Sequence, residues 1–323
     1  MPISAAGFTG VYCPAGCFRQ NRMCILFYMI SNQPSRTAEY MALFRAVETA
    51  EPPGRRLFDD PYAIPLLSGA LKALAAIARI SVIGKVVPAF LDFGWPCTRS
   101  SGVVRTRLID DMVREAIHAG AQQFVLLGAG FDSRAYRLEE ARGIRIFEVD
   151  HPATQTAKLE RLKPRLGRSP ENVHYVEVDF EKDNLECKLS EAGFDGTVAA
   201  VALWEGVVSY LSEPAVYANL GILARLLAPH SRLILTYVDK AAIDGSAVFR
   251  GARRWKSRVG RSGEPFLFGF DPATLAQTVL QYGFLLESDI STADAARRYR
   301  TANGRIESGS ELYRVASIVR AEG

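Results

Sequence analysis

Two glycines and three acids in the middle of this chain have the types and spacing to do chemistry together. Gly128 and Gly130 follow the apolar run at 124–127, and Asp150, Asp179 and Glu205 each close a later apolar or alternating run. Glycine lets the backbone turn sharply and pass close to a ligand. A helix start behind such a turn offers free N–H groups and a partial positive charge. Strand, glycine turn and helix together make a nucleotide cradle, or else a plain strand-to-helix turn. Asp150 stands about twenty residues beyond the glycines, where a carboxylate can accept both hydroxyls of a ribose or cap the helix that begins at Pro152. Asp179, with Phe180 beside it, can take the exocyclic amine of an adenine while the ring covers the base, or it too can cap a helix. Glu205 sits among apolar neighbours, where a carboxylate is costly unless paired. A cationic ligand or Arg105 can supply that pairing.

These residues act together only if a frame brings them to one edge. Five strand-like runs, at 124–127, 144–150, 173–179, 198–203 and 233–238, alternate with helical stretches. Such alternation predicts a parallel sheet covered by helices on both faces. Right-handed crossovers then align the C-terminal ends of the strands. FLLESDI (284–290) and ELYRVASIVR (311–320) read as an antiparallel closing pair. The expected fold class is α/β: a Rossmann-like, seven-stranded, mostly parallel sheet with an antiparallel C-terminal strand pair and an N-terminal helical cap. Upstream, helical spacing covers 35–47 and 99–119. The apolar stretch 71–91, broken by Lys72, Arg79, Gly84, Lys85 and Pro88, reads as one or two amphipathic helices. The chain divides into a leader at 1–30, a cap at 31–122, and a core at 123–323 with a lid insertion near 240–283. The lids expected over a substrate are 60–95 and 240–270, the second with Phe266, Phe268 and Phe270 facing the acceptor.

Bulk properties bound the function. With 323 residues and 48% hydrophobic content the chain can bury a large core. Its net charge of +4 is spread without a long basic block, so nucleic acid is not an expected partner. The five cysteines fit no disulfide framework and no metal site, which suits a reducing, cytoplasmic setting. The apolar run at 24–30 is too short to span a bilayer and the one at 71–91 is interrupted, so integral membrane insertion is not expected. Residues 1–30 read as disordered or untranslated, with Met29 as an alternative start.

A glycine pair of this kind also serves nicotinamide-dependent oxidoreductases, but Ser133 stands where their motif places its third glycine. A seven-stranded sheet with a terminal antiparallel pair is the shape of class I methyltransferases. The runs TAEYMALFRAVE, LFDDPYA, RTRLIDD, VLLGAGFDSRAYRL, FEVDHP, VEVDF, EGVVSYL and GEPFLFGFDP span 37 to 272. In these the chain resembles the leucine carboxyl methyltransferase-like family of S-adenosylmethionine-dependent enzymes, in its bacterial O-methyltransferase branch. The resemblance implies that S-adenosyl-L-methionine is the cofactor and S-adenosyl-L-homocysteine the product. It implies that Arg105, or else Arg107, binds the methionine carboxylate and that Gly128 and Gly130 let the cofactor pass. Asp150 would hold the ribose, Asp179 and Phe180 would flank the adenine, and Glu205 would face the methionine amino group. The implied reaction is methyl transfer to a carboxylate or hydroxyl oxygen of a small, partly apolar metabolite. Protein C-terminal carboxyl methylation is the alternative within the family; a non-catalytic nucleoside-binding module and an NAD(P)-dependent oxidoreductase are the alternatives outside it. No residue pattern marks a catalytic base. His151 reads as a helix-start residue beside Asp150.

Overall fold

The computed structural model describes residues 35–80, 84, 86–95, 97–178, 183–249, 266–299, 304 and 307–322. The leader at 1–30, Asp179, Phe180 and the middle of the expected 240–283 insertion lie outside the described residues.

Among the described residues four helices come first: α1 (Arg36–Thr49), α2 (Gly69–Ala78), α3 (Val86–Gly94) and α4 (Thr98–His118). The sheet then starts with β1 (Gln123–Leu127), followed by the single turn α5 (Arg134–Arg137), β2 (Arg145–Asp150) and α6 (Pro152–Leu166). Next are β3 (Val173–Glu177), α7 (Leu185–Glu191), β4 (Ala200–Trp204), α8 (Glu213–Leu226), β5 (Arg232–Val238) and α9 (Lys240–Asp244). The chain closes with α10 (Leu275–Leu280), β6 (Phe284–Ser291), α11 (Thr292–Arg298) and β7 (Tyr313–Arg320). The strand order is β3-β2-β1-β4-β5-β7-β6. β1 to β5 pair in parallel, and β7 runs antiparallel between β5 and β6. The expected fold class is therefore the observed one.

The period-two alternation of strand side chains decides which layer each residue joins. Phe124, Leu126, Ile146, Val201 and Leu203 point to one side and pack under the cap helices and α6. Val125, Leu127, Phe147, Val149, Ala202 and Trp204 point to the other and pack on α7, α8 and α10. All five residues of β1 are buried, as an apolar run in a doubly covered sheet requires. The strand order reverses between β1 and β4, so a crevice opens at their C-terminal ends.

Three expectations change. β3 ends at Glu177 rather than running to residue 179. The helix behind the glycine turn is only four residues long, and the amide of its first residue, Arg134, is taken by Asp132 Oδ1 at 2.7 Å and is not open to a ligand. Two short helices, α9 and α11, also went unforeseen; Ser291 caps α11 by accepting from Asp294 N, a local signal within its S-x-x-D spacing.

β2 and α6 are joined by a buried charge pair. Lys158 Nζ donates to Glu148 Oε1 at 2.8 Å, and the Tyr136 hydroxyl donates to Glu148 Oε2 at 3.1 Å. Both partners are 1% exposed. Burial pushes the Glu148 carboxyl above its ordinary range, with Lys158 opposing. Removing one member of a buried pair strands the other charge, whereas replacing both with neutral groups costs little. Lys158→Ala is expected to lower unfolding free energy by about 3–5 kcal/mol. The double variant Glu148→Gln/Lys158→Met is expected to recover most of it in urea titrations. A double variant as weak as Lys158→Ala would assign the loss to packing instead.

Candidate active site

The crevice between β1 and β4 is a cleft, and the sequence motifs form its walls. Gly128 leaves β1 at φ 67°, in the left-handed region that favours glycine. A Cβ there would also lie 2.7 Å from Val207 Cγ2. Gly128 N and Ala129 N both donate to Val149 O, at 2.9 and 3.0 Å, tying the turn to the end of β2. Gly130 N donates to Asp150 Oδ2, and His151 N donates to Asp150 Oδ1 at 2.7 Å. Each Asp150 oxygen keeps a second lone pair for another donor. Burial pushes the Asp150 carboxyl upward, and these backbone donors oppose it.

Below the turn lies a network of buried ions. Arg134, 3% exposed, reaches Asp110 at 2.8 Å, Asp132 at 2.5 Å and Glu205 at 2.7 Å. Arg105 Nε donates to the other Glu205 oxygen at 2.8 Å. Arg137 holds Asp110 through two bonds of 2.6 and 2.7 Å. Arg45 donates to Asp60 at 2.7 Å and to Phe131 O at 2.5 Å, while Ser133 Oγ donates to the same Asp60 oxygen at 2.6 Å. Burial alone would raise the carboxyls of Asp110, Asp132 and Glu205. The guanidiniums reverse that: Arg137 and Arg134 hold Asp110 low, and Arg134 and Arg105 hold Glu205 low. Arg134, Arg45 and Lys158 together bring Asp132 to about 2.

Of the residues expected at the site, Arg105, Gly128, Gly130, Asp150 and Glu205 line this one cleft. Arg105 is distinguished from Arg107, which turns outward to Asp111 at 3.0 Å. His151 caps α6, accepting from Ala153 N at 3.3 Å. The cleft also has walls that sequence reasoning did not place. Ser35, Thr37, Ala38 and Met41, from the start of α1, line it, whereas the described residues of 60–95 contribute none of its lining. Among the described residues α1, rather than the expected lid at 60–95, forms this wall of the cleft, and α2 packs against α1. Phe268 and Phe270 do not face the cleft either: they are 7% and 3% exposed, in the core with Tyr217 and Tyr237. Only Phe266 approaches, edge-on to Tyr210 of the cleft wall at 5.0 Å between ring centres. Arg134 was missed because its position in DSRAYR is adjacent to the glycines in sequence, while its partners Asp110 and Glu205 are remote.

Comparison with known proteins agrees with this geometry. The family model for leucine carboxyl methyltransferase matches residues 38–224. A Mycobacterium tuberculosis protein, named as an S-adenosyl-L-methionine-dependent methyltransferase with the assignment marked provisional, is 34% identical over 73% of this chain and 73% of its own. A Mycobacterium avium protein named in the same way is 32% identical over 69% of this chain and 72% of its own. Among solved structures, a Thermobifida fusca protein, also provisionally titled a methyltransferase, shares the fold at a TM-score of 0.56. It is 16% identical, covering 90% of this chain and 96% of that one. The chain belongs to the leucine carboxyl methyltransferase family. It is an S-adenosylmethionine-dependent methyltransferase, and the oxidoreductase reading is set aside.

Because Asp110, Asp132 and Glu205 titrate lower folded than unfolded, they add stability that is fully present above their unfolded values. That stability is lost as pH falls through the folded ones, down to about 2 for Asp132. Arg134→Met is expected to cost about 3–5 kcal/mol near neutrality, since three buried carboxylates lose a shared partner. The gap to the unsubstituted protein should narrow as pH falls below about 4, where the carboxylates of the variant take up protons and no longer need that partner. Urea unfolding across this range checks both the size and the sign.

Proposed function

We propose that this member of the leucine carboxyl methyltransferase family transfers the methyl group of S-adenosylmethionine to a carboxylate or hydroxyl oxygen of a small, partly apolar metabolite. The observation that carries the reading is the Arg105–Glu205 pair at the cleft wall, one strand away from the glycine turn. An α-amino acid group carries a carboxylate and an ammonium on one carbon. It fits between a guanidinium and a carboxylate that already face each other, exchanging one ion pair for two. Glu205 keeps Arg134 at its other oxygen throughout, so it stays ionised when Arg105 turns to the incoming carboxylate. Asp150 has lone pairs to spare for ribose hydroxyls, and the Gly128–Gly130 backbone leaves the room that a Cβ would fill. Asp179 and Phe180 complete the reading as the adenine-flanking residues.

When bound, S-adenosylmethionine supplies a methyl group on a sulfonium and leaves as the neutral thioether. The chain's own contribution is to align the acceptor oxygen behind that carbon and to exclude water. Alignment of this kind is worth roughly 7–11 kcal/mol of barrier. Met41, Val207 and Tyr210 give the cleft apolar surface, and Phe266 backs Tyr210. Among the described lining residues there is no histidine, lysine or cysteine, and Asp132, Asp150 and Glu205 each hold a guanidinium or backbone N–H. A carboxylate acceptor needs no base, because it is already ionised near neutrality. This favours ester formation over ether formation.

Titration calorimetry should find one-to-one binding of S-adenosylmethionine and S-adenosylhomocysteine and none of NAD(P)H. Asp150→Ala is expected to weaken cofactor binding by about 1–3 kcal/mol. Glu205→Gln should weaken it while leaving the protein folded. Cofactor affinity unchanged by either substitution would move the site elsewhere. Carboxyl methylation is separated from hydroxyl methylation by mild alkali. Methyl label carried to apolar carboxylic acids should be released as methanol, whereas label that resists alkali would assign a hydroxyl acceptor.

A further inference from the structure

Two consecutive helices of the cap present apolar side chains to solvent. α2 turns Leu74 and Ala75 inward and α3 turns Val87 and Leu91 inward, against the core beneath the cap. Their outer faces carry Ile77 at 40% exposure, Val86 at 63%, Phe90 at 59% and Phe93 at 79%, with Ile80 at 50% just past the end of α2. Positions 86, 90 and 93 recur at the helical repeat, so one face of α3 is apolar along its length. Large apolar groups this exposed and this close together mark an interaction surface rather than chance exposure. Gly84 N donates to Ile80 O at 2.7 Å, and a Cβ on Gly84 would lie 2.1 Å from Ala78 O. A side chain at position 84 would therefore collide with the end of α2.

The charge on this surface identifies what it meets. Lys72 and Arg79 of α2 and its end are exposed, and neither makes an ion pair among the described residues. The one acid of α2 and α3, Asp92, is taken by Arg99 through two bonds of 2.8 Å. The surface is thus apolar with uncompensated positive charge at its margin. A second copy of the chain seated on it about a two-fold axis would double the positive charge at the interface while each Asp92 stays held by its own Arg99. An anionic lipid surface would neutralise them while accepting the phenylalanines below its headgroups.

We propose that the α2–α3 face docks this protein on an anionic phospholipid surface, with Phe90 and Phe93 entering the interface and Lys72 and Arg79 binding the headgroups. The arrangement is peripheral: no helix among the described residues is long and apolar enough to cross a membrane. None of these side chains lines the cofactor cleft, so docking and cofactor binding are separable.

The test is sedimentation of the full chain with vesicles of phosphatidylcholine alone and of phosphatidylcholine with phosphatidylglycerol. Binding is expected with the anionic vesicles and should weaken as salt rises. Phe90→Ser/Phe93→Ser should lower the partition coefficient at least ~10-fold. Lys72→Gln/Arg79→Gln should lower it about fivefold per cation and remove the preference for phosphatidylglycerol. Both variants should keep the calorimetric affinity for S-adenosylhomocysteine of the unsubstituted protein, which shows that they fold. Equal sedimentation of folded variants and unsubstituted protein would overturn the proposal. So would absence of vesicle binding, together with light scattering that shows a dimer broken by the phenylalanine substitutions. That result would assign the face to a second copy.

Discussion

Arg134 is the group on which the rest of the site depends. A guanidinium buried this deeply is stable only if its charge is answered on every side, and here three carboxylates from three parts of the chain answer it. Asp110 comes from the long cap helix α4, Asp132 from the glycine turn, and Glu205 from the end of β4. Each acid is in turn too buried to stand without a cation. The requirement is mutual, so the cap, the turn and the strand end must assemble together. Arg45 and Asp60 extend the same demand to α1 and the LFDDPYA loop, because Asp60 also takes the hydroxyl of Ser133. The separate sequence motifs are parts of one charge-balanced layer.

That layer explains why the cleft is rigid where it must be and accessible where it can be. The inner oxygen of Glu205 is held by Arg134, which is almost wholly buried, and the outer oxygen by Arg105, whose side chain is 13% exposed. Only the outer partner is placed to exchange. The glycine turn is held by β2 through Val149 O and Asp150, so its backbone is set before any ligand arrives. Such preorganisation moves the cost of ordering the site from binding into folding.

Much of this was legible in the sequence, and the limits have physical causes. Strand positions were readable because period-two alternation and apolar runs are local signals, and the edge that carries Gly128, Asp150 and Glu205 followed from the handedness of crossovers. Glu205 could be flagged because a carboxylate among apolar residues must have a partner, and Arg105 proved to be that partner. Arg134 could not be flagged in the same way: its near partner Asp132 is an ordinary neighbour in a polar motif, and its other two partners are 24 and 71 positions away. Phe268 and Phe270 misled because aromatic clusters look alike in a lid and in a core. α1 was readable as a helix, but its place over the cleft depends on tertiary packing against α4 and the glycine turn. Asp179 and Phe180, read from their motif alone, remain proposals.

The position of β7 has a consequence for how the protein is made. This strand is the last in the sequence, yet it lies inside the sheet, between β5 and β6. Until the ribosome has passed residue 320, β5 has one open edge, and β6 has no neighbour at all. Without β7, the β5 border of the parallel half-sheet is an open edge, a template for stray strands. Removing residues 313–320 would take out an interior strand and leave both β5 and β6 without a partner on that side.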